Sequence, residues 1–186
     1  MPPLRASAAL IVLLSAATSA HAQEKGDWGL TMGYPSAAGL IWHGSDRLAL
    51  RPDLTFSGST SKAEALGITG TSGYSTSVGV GISLLYYLRQ WDGLRTYVCP
   101  RFSYSRATSS VESLAGPGLI TDLTISGYSG SGLFGAQYSL HRRFSVFAEV
   151  GFGFTDQTSS SSAGSTARTD SIGWGTRTGI GAAFYF

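Results

Sequence analysis

The chain has 186 residues, 42% of them hydrophobic but only 13% charged, with 25 glycines and a formal net charge of +2. So small a charge excludes the electrostatic footprint of a nucleic-acid binder. A single cysteine, Cys99, excludes an internal disulfide, and the length fits one domain.

Residues 1–22 read as a secretory signal. Arg5 supplies the positive start, Ala8 to Ala17 a short apolar run, and Ala20-His21-Ala22 a small-x-small cleavage site. The apolar run is shorter than the roughly 20 residues a membrane-spanning helix requires. Cleavage leaves residues 23–186 as a single domain with 12 Lys/Arg against 11 Asp/Glu. With no cysteine at the cleavage site, lipoprotein processing is not indicated.

From Gly26 onward, period-two segments recur and no apolar stretch is long enough for a spanning helix. They predict eight strands: Gly26 to Tyr34, Ala38 to Gly44, Arg47 to Thr60, Gly73 to Arg89, Leu94 to Ala107, Asp122 to Leu140, Phe144 to Thr155, and Ile172 to Phe186. Tight turns are expected at Pro35-Ser36, Ser45-Asp46, Asp92-Gly93 and His141 to Arg143. Polar loops are expected at Ser61 to Thr71, Ser109 to Leu119 and Gln157 to Ala167. After the first hairpin, short and long connections alternate, as periplasmic turns and extracellular loops do in outer-membrane barrels. An even strand number then puts both termini in the periplasm.

Even-numbered positions are apolar in nearly every segment, among them Leu54, Phe56, Val80, Ile82, Phe134, Val150 and Phe152. Phe144 to Phe154 is ten steps. At ~3.3 Å per residue and a tilt near 40° these cover roughly 25 Å, the height of a lipid-facing band. Tyr34, Tyr74, Tyr104, Tyr128, Phe154 and Trp174 would form one aromatic girdle, and Trp28, Trp42, Leu140, Phe144 and Phe186 would lie near the other. The expected fold is all-β: an eight-stranded antiparallel up-and-down transmembrane β-barrel. Two features fit poorly. The second strand is short for a tilted span, and Pro52 and Pro100 each lack a ladder donor, which predicts a bulge near each.

The terminal Phe186, with Phe184, Ala182 and Ile180 behind it, looks like the C-terminal signature that such proteins present to the barrel assembly machinery. On these residues the chain resembles the small eight-stranded outer-membrane barrels typified by OmpX and the membrane domain of OmpA. The resemblance covers Gly26 to Phe186 as architecture and implies residence in a bacterial outer membrane. The class includes adhesins, structural barrels, small pores and lipid-modifying enzymes. The assembly signature is assigned to Ile180, Phe184 and Phe186. The partners implied are outer-membrane lipid and lipopolysaccharide together with the assembly machinery, and the chain is expected to be a monomer with no nucleic-acid partner, cofactor or metal.

Odd positions face the lumen on this register. An eight-stranded barrel is only wide enough for side chains to fill it, and charges there are costly unless paired. Glu149 and Asp53 are therefore expected to accept hydrogen bonds from Arg51, Arg101 and Arg177 in one network. Alternate glycines such as Gly79-x-Gly81 and Gly151-x-Gly153 lie inside strands and leave room for inward aromatics rather than cradling phosphate. Cys99 is expected to point inward and be inert. His43 has lumen parity with Asp46 just beyond it but no companion serine motif, and His141 sits in a turn, so no catalytic residue is assigned. The reading is a non-enzymatic barrel with a structural or surface-interaction role. The alternatives are a lipid A-modifying enzyme and a narrow pore for small solutes.

Overall fold

A computed structural model describes residues 25–34, 37–65, 68–113, 119–161 and 167–186; the expected signal at 1–22, the Pro35-Ser36 turn and residues 114–118 of the expected Ser109 to Leu119 loop lie outside them. The strands are β1 (Trp28–Tyr34), β2 (Ala37–Ser45), β3 (Leu48–Ala65), β4 (Ile68–Trp91), β5 (Leu94–Ser113), β6 (Leu119–His141), β7 (Phe144–Ser161) and β8 (Ala167–Tyr185). Each pairs antiparallel with the next and β8 pairs with β1, closing the ring.

The ring closes with a measurable offset. From Ala183 on β8, paired residues run through Thr31, Gly39, Asp53, Gly81, Ser103, Ser129 and Thr155. The path returns to β8 at Gly173, ten residues from its start. Strand number and stagger together determine tilt and width, here about 40° and a lumen that side chains fill.

That register divides the side chains by parity. Ile41, His43, Arg51, Tyr97, Cys99, Glu149 and Tyr185 are buried inside the ring, while Leu54, Phe56, Phe152 and Ile180 stand outside and exposed. The outer wall is therefore apolar and the interior polar, the inverse of a water-soluble protein, and a belt this large calls for lipid. The chain is an eight-stranded antiparallel transmembrane β-barrel. Its aromatic rims are partly built from cross-strand pairs: Trp28 on Trp42 at 5.9 Å near one end, Tyr104 on Tyr128 at 5.0 Å and Phe154 on Trp174 at 5.8 Å near the other. Trp91, beside the second turn and under the Arg89 guanidinium at 5.0 Å, is an unexpected addition to the first rim.

Gly26 and Phe186 lie at the end that carries the tight turns. The Phe186 amide donates to the Trp28 carbonyl at 3.2 Å and the Gly26 amide to the His43 carbonyl at 2.8 Å. The turns are Asp46-Arg47, Asp92-Gly93 and Arg142-Arg143. Gly93, at φ 80°, occupies the left-handed region that glycine adopts without cost.

Two sequence expectations are corrected. The three long polar segments are mostly strand rather than loop, since the ladders continue to Ala65↔Ile68, Ser113↔Leu119 and Ser161↔Ala167. Hydrophobic alternation stops there because neither face meets lipid, but Ser and Thr continue to pair their backbones. No register shift occurs at Pro52 or Pro100. The β2–β3 ladder skips Leu40/Pro52 and Ile41/Arg51, the β4–β5 ladder skips Leu84/Pro100 and Leu85/Cys99, and the register resumes unchanged. Three register shifts instead sit beside the tight turns, at His43/Ser45, Tyr87/Arg89 and Ser139/His141, and a fourth at Ala63/Ala65 near the outer tip of β3–β4; an extra residue there adds local twist. As expected from sequence, β1 and β2 are short, at 7 and 9 residues, so the wall is low at the first hairpin.

Val150 projects from the middle of β7 into the apolar belt and is half exposed. Val150→Arg is expected to lower stability by about 2–4 kcal/mol in unfolding from lipid vesicles, against roughly 0–1 kcal/mol for Thr124→Arg beyond the girdle. Equal losses at the two positions would contradict a lipid-facing belt.

Candidate functional site

The lumen is built in layers. At the turn end, β2, β4, β6 and β8 bring His43, Tyr87, Gln137 and Tyr185 together. The Tyr87 hydroxyl donates to Gln137 Oε1 at 3.0 Å, and Gln137 Nε2 donates to the Tyr185 hydroxyl at 2.9 Å. His43 Nε2 lies 3.5 Å from that hydroxyl, and its ring stacks on Tyr87. Arg95 lies over the Tyr87 ring at 3.9 Å and donates to the Asp46 carbonyl at 2.7 Å. This layer is a seal of rings and amides, in which His43 Nδ1 is buried without a hydrogen-bond partner.

Above it, Arg51 on β3 meets Glu149 on β7, four strands away and so across the lumen. Arg51 Nη2 donates to both carboxylate oxygens, at 2.7 and 3.0 Å, and the Tyr97 hydroxyl donates to Oε1 at 2.8 Å. The guanidinium also covers the Phe147 ring at 4.9 Å. Cys99, fully buried, has its Sγ 4.0 Å from Arg51 Nη2. Room for these groups comes from glycine. A Cβ on Gly135 would collide with the Tyr97 ring, and one on Gly181 with Phe147.

Arg101 and Asp53 form the next pair, Nη2 to Oδ1 at 2.5 Å. Asp53 Oδ2 is buried without a hydrogen-bond partner. Arg177 does not join either pair; it donates to Thr155 Oγ1 at 2.5 Å. The five residues of the expected network thus form two ion pairs and one arginine hydrogen-bonded to a hydroxyl. The sequence reading did not identify Tyr97, Gln137 and Tyr185 as partners, although their odd numbers place them all in the lumen.

A cavity of about 240 Å³ opens above the Arg51–Glu149 pair. Asp53, Arg101, Ser129, Ser131 and Arg177 line it together with Leu133 and Phe147. Three guanidiniums face it against two carboxylates, so the site suits small polar or anionic groups. Among the described residues no three His, Cys, Asp or Glu side chains converge to hold a metal. Tyr87 and Tyr185 pack against the His43 ring, with Arg95 and Asp27 close enough to act on it electrostatically, and His141 lies exposed at the end of β6 with its Nδ1 3.4 Å from the Arg143 amide. Ile180, Phe184 and Phe186 are exposed on the lipid-facing wall.

At the far tip of β7–β8 the Thr158 hydroxyl, 2.7 Å away, and the Arg168 guanidinium, 3.4 Å away, hold the Asp170 carboxyl below its ordinary value. These groups are exposed to solvent, where such pairs add little stability.

No protein-family model and no curated protein matches the chain. Among solved structures it is similar to a major outer membrane protein from Thermus thermophilus, with 14% identity, 86% of this chain and 99% of that chain covered, and a TM-score of 0.57. It also aligns with the N-terminal β-barrel domain of Pseudomonas aeruginosa OprF at 13% identity, covering 88% of this chain and 100% of that one, with a TM-score of 0.41. Ail, the attachment invasion locus protein of Yersinia pestis, aligns at 12% identity, covering 86% and 94%, with a TM-score of 0.42. The Thermus likeness supports the fold, and the two weaker ones add nothing to it.

Glu149→Ala strands Arg51 and removes the acceptor of Tyr97. A loss of about 3–5 kcal/mol is expected in denaturant unfolding of the refolded protein. The double replacement Arg51→Met with Glu149→Leu should recover most of it, because a packed apolar pair needs no charge compensation.

Proposed function

We propose that the protein is an integral barrel of a bacterial outer membrane with a closed lumen and a structural or surface-interaction role. Residues 1–22 would direct its export. The termini and tight turns would lie in the periplasm and the long polar hairpins outside the cell, in contact with lipopolysaccharide. The apolar outer belt supports the membrane location, and the description of the Thermus protein as an outer membrane protein agrees with it. Ile180, Phe184 and Phe186 are proposed as the strand signature read by the assembly machinery.

The observation that carries the closed lumen is the stack of fully buried side chains across it, with His43, Tyr97, Cys99 and Ser145 each at 0% exposure. A conduit would need hydrated side chains at that level. Two further features favour a scaffold over an acyl-transferring or hydrolytic enzyme. The one lumen histidine is packed between tyrosines, and Ser139 and Ser145 have each other's hydroxyls at 3.3 Å. A general base needs hydrogen-bond reach to the proton it abstracts.

Purified protein in planar bilayers is expected to show no steady conductance steps, and overexpression should leave the acyl pattern of lipid A unchanged by mass spectrometry. Reproducible ion-selective steps would favour the pore reading. A lipid A change abolished by His43→Ala would establish the enzymatic one.

A further inference from the structure

The low wall at the first hairpin has a chemical consequence at membrane depth. The β1–β8 ladder ends at Tyr34↔Ile180 and the β2–β3 ladder at Ala37↔Thr55. Beyond those pairs, residues 167–179 of β8 and 56–65 of β3 have no strand of the described residues on their facing edges. Ile180 lies six steps along β8 from the girdle residue Trp174, which at ~3.3 Å per residue and ~40° tilt is roughly 15 Å of depth. The notch therefore lies within the apolar belt. Unpaired backbone persists at that depth only where it lines water or is covered by protein.

The lumen cavity reaches this notch, since Gly33 and Ala37 from the hairpin and Thr178, Gly179 and Ile180 from β8 are among its lining. The inward side of β8 is open as well: a Cβ on Gly173 or Gly175 would meet nothing within 4 Å. Arg177 stands at the rim, exposed and inward by parity. Arg51 is balanced by Glu149 and Arg101 by Asp53, so Arg177 is the excess positive charge of the cavity. An arginine at this depth beside a water-lined space marks a ligand path.

We propose that the notch is a side window through which the cavity takes the anionic head of a single-chain amphiphile from the adjoining lipid, the alkyl tail remaining among the lipid chains. The Arg177 fork suits a carboxylate or a phosphate oxygen pair. Asp53 Oδ2, on a side chain only 4% exposed, accepts from water carried with the head. The volume of about 240 Å³ exceeds the 150 Å³ that holds a benzene ring, so head and first methylenes fit together.

The proposal rests on the membrane-spanning reading, so the test begins with the full chain in lipid nanodiscs and heat-modifiable gel mobility; failure to insert would refute that reading before any probe is added. Dansyl-labelled undecanoic acid is then titrated by fluorescence. Saturable binding is expected, displaced by dodecanoic acid and by lysophosphatidic acid but not by dodecanol. Their ranking separates a carboxylate from a phosphate preference. Arg177→Gln should weaken binding about tenfold, the size of one charge-assisted hydrogen bond. Ala37→Trp, which fills the window, should abolish it. Should Ala37→Trp fail to fold, Arg177→Gln alone decides. Equal displacement by dodecanol, or unchanged binding by Arg177→Gln, would overturn the proposal. A dimer dissolved by Ala37→Trp would overturn it too, assigning the notch to a strand of a second copy.

Discussion

Closing eight strands with a ten-residue offset is the constraint from which the rest of the structure follows. It sets a lumen too narrow to stay empty and too enclosed to leave charges unpaired. It also brings β3 face to face with β7, so that Arg51 and Glu149 reach one another across the barrel, and it converts odd numbering into an interior address. The same closure abolishes sheet edges in the lower part of the ring, where backbone groups would otherwise be orphaned in hydrocarbon. Only at the first hairpin is that rule relaxed.

Parity made most of this legible in sequence. Because side chains alternate with period two and the register slips only near the strand ends, Phe152 and Ile180 could be placed in lipid, and Arg51 and Glu149 in the lumen, from the sequence alone. Pairing across the lumen could not be read this way. Which arginine meets which carboxylate depends on the stagger, which no local pattern encodes, and Arg177 accordingly ended beside Thr155 rather than Glu149. The extent of the outer hairpins was also hidden. Once both faces meet water, Ser159 and Thr169 look like loop residues although their backbones pair. The prolines misled for a related reason. A missing donor was expected to shift the register, but at Pro52 and Pro100 the wall omits two pairs and continues in phase.

Polar groups are distributed unevenly along the lumen. At the turn end, Tyr87, Gln137 and Tyr185 satisfy one another in a chain of neutral hydrogen bonds, an arrangement that costs little to desolvate. The ion pairs sit higher, and they become progressively less enclosed: the side chains of Arg51 and Glu149 are both 5% exposed, whereas that of Arg101 is 24% exposed. Paired charge thus becomes more accessible to water toward the open end, while at the turn end the buried Arg95 guanidinium lies over the Tyr87 ring and donates to the Asp46 carbonyl.

This gradient bears on why the ion pairs persist in a barrel that apolar residues could fill. A buried pair is weak evidence for stability, since a hydrophobic substitute of equal volume often does as well. An apolar lumen, however, would leave the wall polar on neither face, and the outside/inside alternation that orients each strand in lipid would lose its contrast. Charged and hydroxylated odd positions penalise a one-residue slip, because the slip would carry Arg51, Asp53 and Glu149 into the hydrocarbon. On this argument the Arg51–Glu149 pair acts less as a bond holding two strands than as a selection against every register but one. The hydrogen-bonded floor at Tyr185 needs only to be well packed, because the terminal strand is already held there by β1 and β7 on both sides.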